Sequence, residues 1–267
     1  MNLCERMIIE VNGIKIGYDI FGQTGLPLML VHGFGLNREI WKGLAEKYLR
    51  NHRVILPDVR GHGESEATEG VYPMETLAED LAHLLDYLGI KKVVICGHSM
   101  GGYISLAFAD MFPESLAGFG MITTHSEADS DEKKADRYAL VEAVKEQGSN
   151  VVAESLAPKL SQNQTVVKET QRIIAETDPR GIIGALLGMA ERPDRSDLLP
   201  EIHVPSLVVA GESDPLINIE QARTMADRLP SGTFLSIPHA GHMPMLENPL
   251  ALGEGIVSLC ERVIDAD

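Results

Sequence analysis

The sequence has little cysteine, few aromatic residues and a shortage of positive charge. Its cysteines, Cys4, Cys96 and Cys260, are three in number and widely scattered, and Cys96 sits inside an apolar run. That argues against a disulfide framework and for a reducing, cytoplasmic setting. Lys and Arg number 23 against 39 Asp and Glu, a formal net charge of −16. A surface of that sign repels phosphate backbones and anionic lipid, so nucleic-acid and membrane partners are not expected; it is otherwise a solubility feature and names no small-molecule substrate. No apolar run approaches the ~18 residues of a membrane-spanning helix. Residues 1–6 have neither the basic stretch nor the apolar core of a signal peptide. The nine histidines include no helical pair at ligand spacing, so no metal is expected. Internal repeats and low-complexity tracts are missing as well.

What is present is the composition of a soluble globular chain, with 44% hydrophobic and 23% charged residues over 267 positions. In the first half, strand-like and helix-like segments alternate. Residues 7–11 and 14–20 flank Asn12-Gly13, the preferred pair for a two-residue hairpin turn. Short apolar strands follow at 28–31, 54–56, 93–96 and 116–123, with helical segments at 37–49 and 74–88. In the second of these helices Leu77, Leu81, Leu84, Leu85 and Leu88 share one face. Such apolar strands separated by helices imply a parallel sheet covered on both sides. The rhythm breaks over residues 125–199, where helices are expected at 131–147, 151–156, 165–176 and from Pro179, with Asp178 as its cap. It returns with strands at 206–210 and 233–237 and helices at 219–229 and from Leu250. The expected organisation is an α/β core, residues 1–124 and 200–267, carrying a helical cap over 125–199.

The chemistry is concentrated in a few loops. Gly97-His98-Ser99-Met100-Gly101 lies between an apolar β-branched run and a helix-like stretch, the pattern of a nucleophile elbow. A serine hydroxyl is a weak nucleophile without a base to take its proton. His242, in the loop His239-Ala240-Gly241-His242-Met243-Pro244 after a strand, is the candidate base, with His239 its competitor. Asp214, in Gly211-Glu212-Ser213-Asp214-Pro215, is the candidate acid that orients the imidazole, with Glu212 the alternative. A tetrahedral intermediate needs two donors at its oxyanion. The candidates are the backbone N–H groups of Met100, after the nucleophile, and Phe34, in His32-Gly33-Phe34-Gly35. The loop Asp58-Val59-Arg60-Gly61-His62-Gly63-Glu64-Ser65 reads as a structural brace, and Glu247-Asn248-Pro249 as a helix entry.

Together these motifs resemble the α/β-hydrolase superfamily, and the order Ser99, Asp214, His242 is that family's order. The resemblance implies an eight-stranded, mostly parallel sheet with helices on both faces and a helical cap inserted after strand six. It makes Ser99 the nucleophile, Asp214 the acid and His242 the base. Haloalkane dehalogenases and epoxide hydrolases carry Asp where this chain has Ser99, and triple-glycine lipases differ at Phe34. The cap is similar to that of small bacterial carboxylesterases and 3-oxoadipate enol-lactonases. The expected function is therefore a serine hydrolase of small carboxylic esters, working through an acyl-enzyme without metal or organic cofactor. C–C bond hydrolysis, enol-lactone hydrolysis, perhydrolysis and slow hydrolysis by a ligand sensor are the alternatives.

Overall fold

The computed structural model describes residues 5–266, so residues 1–4, Cys4 among them, of the segment 1–6 weighed above as a signal peptide lie outside the described residues. The chain opens with β1 (Glu5–Val11) and β2 (Ile14–Phe21), paired antiparallel through Val11 and Ile14. Asn12 and Gly13 between them both have positive φ, 49° and 74°, as the tight turn requires. Then follow β3 (Pro27–Val31), α1 (Glu39–Tyr48), β4 (Arg53–Pro57), α2 (Met74–Tyr87), β5 (Val93–His98), α3 (Met100–Met111) and β6 (Leu116–Ile122). Between β6 and the next strand lie four helices, α4 (Asp131–Gln147), α5 (Asn150–Leu160), α6 (Gln164–Glu176) and α7 (Pro179–Glu191). The chain closes with β7 (Ser206–Gly211), α8 (Ile219–Arg228), β8 (Gly232–Ile237), α9 (Pro244–Glu247) and α10 (Pro249–Ala266).

The eight strands form one sheet in the order β1-β2-β4-β3-β5-β6-β7-β8. The pairs of β2 with β1 and β4 are antiparallel, and every pairing from β4 to β8 is parallel. This is the α/β-hydrolase fold. Its central strands β5 and β7 are buried at every residue, which is why they read as continuous apolar runs without alternation. All parallel strands run the same way, so the loops after β3, β5, β6, β7 and β8 gather at one edge of the sheet. Ligands bind at that carboxyl edge in sheets of this kind.

Two elements differ from the sequence expectation. Helix α5 runs on to Leu160, past the expected end at 156, and takes Pro158 inside it. Proline removes one hydrogen bond there, but Ala157 and Leu160 are both buried and hold the last turn. Helix α9 has four residues, too few for any hydrophobic period to show.

Candidate active site

Ser99 stands between β5 and α3 with φ 52° and ψ −117°, a conformation L-residues rarely adopt. The backbone around it is too tight for side chains on the flanking glycines. A Cβ on Gly97 would lie 2.1 Å from the Gly101 carbonyl oxygen, and one on Gly101 would lie 2.4 Å from that of Val31. Hydrogen bonds hold the turn. The Ser99 N–H donates to the Ile122 carbonyl (3.0 Å), and its own carbonyl accepts from the Gly102 N–H (2.8 Å) and Thr124 Oγ1 (2.7 Å). Met100 is the first residue of α3, so its N–H is one of the four that a helix leaves without an internal partner.

His242 and Asp214 meet. His242 Nδ1 lies 2.8 Å from Asp214 Oδ2, with both side chains buried. The other carboxylate oxygen, Oδ1, accepts from the N–H groups of Leu216 (2.8 Å) and Ile217 (3.2 Å), which pins the acid's orientation. Since the carboxylate accepts, Nδ1 carries the proton in neutral His242 and Nε2 is left as the acceptor. The competing residues point elsewhere: Glu212 is exposed and accepts from Ser236 Oγ (2.9 Å), and His239 is exposed at a positive φ of 60°.

The loop after β3 presses on the elbow. A Cβ on Gly33 would lie 3.2 Å from Ser99 Cβ and 2.7 Å from His98 Nδ1. Phe34, next in the chain, is half-buried and lines the cavity. His32 fixes this loop: its Nδ1–H donates to the Gly33 carbonyl (2.9 Å) and its Nε2 accepts from the Val59 N–H (3.0 Å). Burial lowers its pKa to about 4, so both bonds persist at neutral pH. Val59 belongs to the Asp58 loop, which braces the site from behind. Asp58 is buried, accepts from the N–H groups of Arg38 (2.8 Å) and Glu64 (2.8 Å), and pairs with the Arg38 guanidinium.

Ser99 and His242 open into one cavity of about 360 Å³. Tyr103 of α3 and His125, in the loop that leaves β6, also line it, with the hydroxyl and Nε2 2.9 Å apart. Burial holds His125 neutral, with a pKa lowered to about 4. The helices between β6 and β7 supply most of the apolar wall, including Leu140, Leu156, Leu186 and Met189, together with the cations Lys133, Lys159 and Arg137, the last paired with Asp129, and one carboxylate, Asp136. Among the described residues no group of three or more His, Cys, Asp or Glu side chains is placed to hold a metal ion. None of the described helices is long and apolar enough to cross a membrane.

Sequence reasoning did not find the residues that hold His242 by its main chain. The His242 carbonyl accepts from His98 Nε2 (2.9 Å) and Thr123 Oγ1 (3.1 Å). His98 is fully buried, and that burial together with the neighbouring His242 keeps its pKa well below the ordinary histidine value. The one local signal was the place of His98 inside the elbow motif.

A model of the alpha/beta hydrolase fold family matches residues 27–147 and 149–249. Among curated proteins, 3-oxoadipate enol-lactonase 2 of Acinetobacter baylyi is 27% identical over 261 residues, covering 95% of this chain and 96% of that protein. Among solved structures, a thermophilic esterase from Thermogutta terrifontis with malate bound is 38% identical, with a TM-score of 0.92 over 97% of this chain and 99% of that one. The enol-lactonase from Burkholderia xenovorans is 25% identical, with a TM-score of 0.88 over 96% of this chain and 100% of that one.

Proposed function

The chain belongs to the alpha/beta hydrolase family, and from that premise we propose that it is a serine hydrolase of small carboxylic esters. The observation that carries this reading is the 2.8 Å pairing of His242 with Asp214 on the cavity into which the strained Ser99 turn projects. In the proposed sequence Ser99 Oγ attacks the acyl carbon while His242 Nε2 takes its proton. Asp214 keeps the imidazole in the required tautomer and stabilises the imidazolium. The N–H groups of Phe34 and Met100 face the oxyanion of the tetrahedral intermediate. Collapse of that intermediate expels the alcohol, protonated by His242, and leaves an acyl-Ser99. A water deprotonated by the same imidazole then releases the acid.

The cavity narrows the substrate class. A volume of about 360 Å³ walled mainly by aliphatic residues suits short or medium acyl chains. A second reading, hydrolysis of a lactone that bears an acid group, draws on the cations Lys133, Arg137 and Lys159 in the same wall and on the similarity to two enol-lactonases. A panel of p-nitrophenyl esters of increasing chain length, set beside lactones with and without a carboxylate, separates the two. Turnover of the short neutral esters supports the first reading; turnover confined to acidic lactones replaces it with the second.

A further inference from the structure

The base candidate sits in a loop with almost no hydrogen bonding of its own. Between β8 and α9 the chain runs through residues 238–243, and three consecutive N–H groups in it donate to partners outside the loop. The N–H groups of Gly241 (2.8 Å) and Met243 (3.1 Å) both donate to Glu247 Oε2. The His242 N–H between them donates to the carbonyl of Leu160 (3.0 Å). Leu160 is the last residue of α5, and the carbonyls at a helix end have no partner within the helix. The second carboxylate oxygen of Glu247 accepts from Ser161 Oγ, one residue past that helix end. One partly buried carboxylate therefore holds the main chain on both sides of His242 and joins it to the helices inserted between β6 and β7.

We infer that Glu247 is a positioning residue for His242, and that through Glu247, Ser161 and Leu160 the end of α5 sets where the imidazole stands. The inference rests on the proposed role of His242 as the base. The physical argument is one of tolerance. The imidazole must meet Asp214 on one nitrogen and the serine hydroxyl on the other, and the side chain has only two torsions with which to correct an error in its backbone. A displacement of about 1 Å at such a group costs on the order of 100-fold in rate. His98 and Thr123 fix the His242 carbonyl from the core side, while the N–H side depends on Glu247 and α5. Leu160 also lines the cavity, so pressure from a bound acyl group on the last turn of α5 is transmitted to the backbone of the base.

Three variants test this: Glu247→Ala, Glu247→Gln and Ser161→Ala. Two readouts are followed, the NMR signal of the His242 Nδ1 proton bonded to Asp214, and kcat and KM on a p-nitrophenyl ester. Glu247→Ala is expected to broaden or move the proton signal and to lower kcat by about 100-fold with KM little changed. Glu247→Gln, whose amide oxygen still accepts the two N–H bonds, should recover most of both. Ser161→Ala should lower kcat several-fold while the protein melts within a few degrees of wild type. An unmoved Nδ1 signal in Glu247→Ala and Ser161→Ala, both folded, would overturn the inference. So would a loss that appears only in KM. Because the NMR signal needs no turnover, an inactive wild type would refute the ester hydrolase reading while the positioning of His242 is still decided.

Discussion

Helices α3 and α4 both send side chains into the cavity, and they are built in opposite ways. Ten of the twelve residues of α3 are buried, so the element that follows Ser99 is gripped on all sides. Of the seventeen residues of α4 only Val141 and Val144 are buried. The same contrast extends to histidines: of the nine only His125, at the very start, falls in residues 125–199, whereas six, His32, His62, His98, His125, His239 and His242, sit in or beside the loops at the carboxyl edge of the sheet. The core thus holds the candidate reacting groups in a dense polar lattice, where a small displacement is felt at once. Helix α4 presents a thin wall whose inward side chains can change without disturbing that lattice, whereas the end of α5, at Leu160 and Ser161, is tied into it. On the proposed reading, chemistry belongs to the first region, with the end of α5 as a tie to the second, and substrate choice belongs to the second.

The largest expected effect tests the first half of that division. Asp214→Asn keeps the bonds from Leu216 and Ile217 but offers His242 Nδ1 the wrong partner, and should lower kcat/KM by about four orders of magnitude. Glu212→Gln, on the exposed side of the same loop, should leave kcat/KM within a factor of about two. Steady-state kinetics on one ester decides it, and a more damaging Glu212→Gln would reassign the acid.

Acid should loosen the core next. Burial lowers His32, His62 and His125 to about 4, 3 and 4, so in the fold they stay neutral while the unfolded chain takes up protons below pH 6.5. Their contribution is complete above pH 6.5 and is lost as pH falls towards 4. Asp58, lifted to about 6 by burial, works in the opposite sense, its contribution fading as pH rises through 6. Three groups outweigh one, and stability should fall by roughly 2 to 3 kcal/mol per pH unit near pH 5. Melting followed by circular dichroism at pH 7, 6 and 5 should show a falling Tm; a flat or rising Tm contradicts the assignment of these histidines as neutral.

Much of this was legible in the sequence, and what was not has a physical reason. The α/β alternation shows because buried parallel strands are unbroken apolar runs, as at 93–96. The elbow shows because its glycines are required within five residues of Ser99. The supports of His242 do not show, because they come from far along the chain: His98 and Thr123 lie 144 and 119 positions away. Glu247 was visible only as a residue near a helix start, since its two N–H partners are turned towards it by a loop with no sequence period. The hydrophobic pattern of the inserted helices gave their number, but not which face Leu140 or Leu156 would turn to the cavity.

Smaller effects probe the second region. Leu156→Ala removes bulk from the wall and should move the chain-length optimum towards longer acyl groups. Each further methylene accommodated adds about 0.8 kcal/mol, or roughly fourfold in kcat/KM. A p-nitrophenyl ester series reads this directly, and an unchanged optimum would place the acyl group elsewhere. The smallest effect concerns the exposed tie between the two regions, where Arg172 of α6 pairs with Glu39 of α1 (2.7 Å). Arg172→Ala should change stability by less than about 1 kcal/mol, because solvent screens such a pair. Urea unfolding that shows a loss of several kcal/mol would mean the regions are held together at the surface.

The central claim is that Ser99 carries the acyl group, and trapping that intermediate tests it most directly. The protein is mixed with a short p-nitrophenyl ester, quenched in acid within the burst, digested and mapped by mass spectrometry, with a fluorophosphonate-treated sample alongside. The account predicts one acylated peptide containing Ser99, the same residue phosphonylated, and neither adduct in Ser99→Ala, whose turnover falls to background. An adduct on another residue, or undiminished turnover by Ser99→Ala, would contradict it.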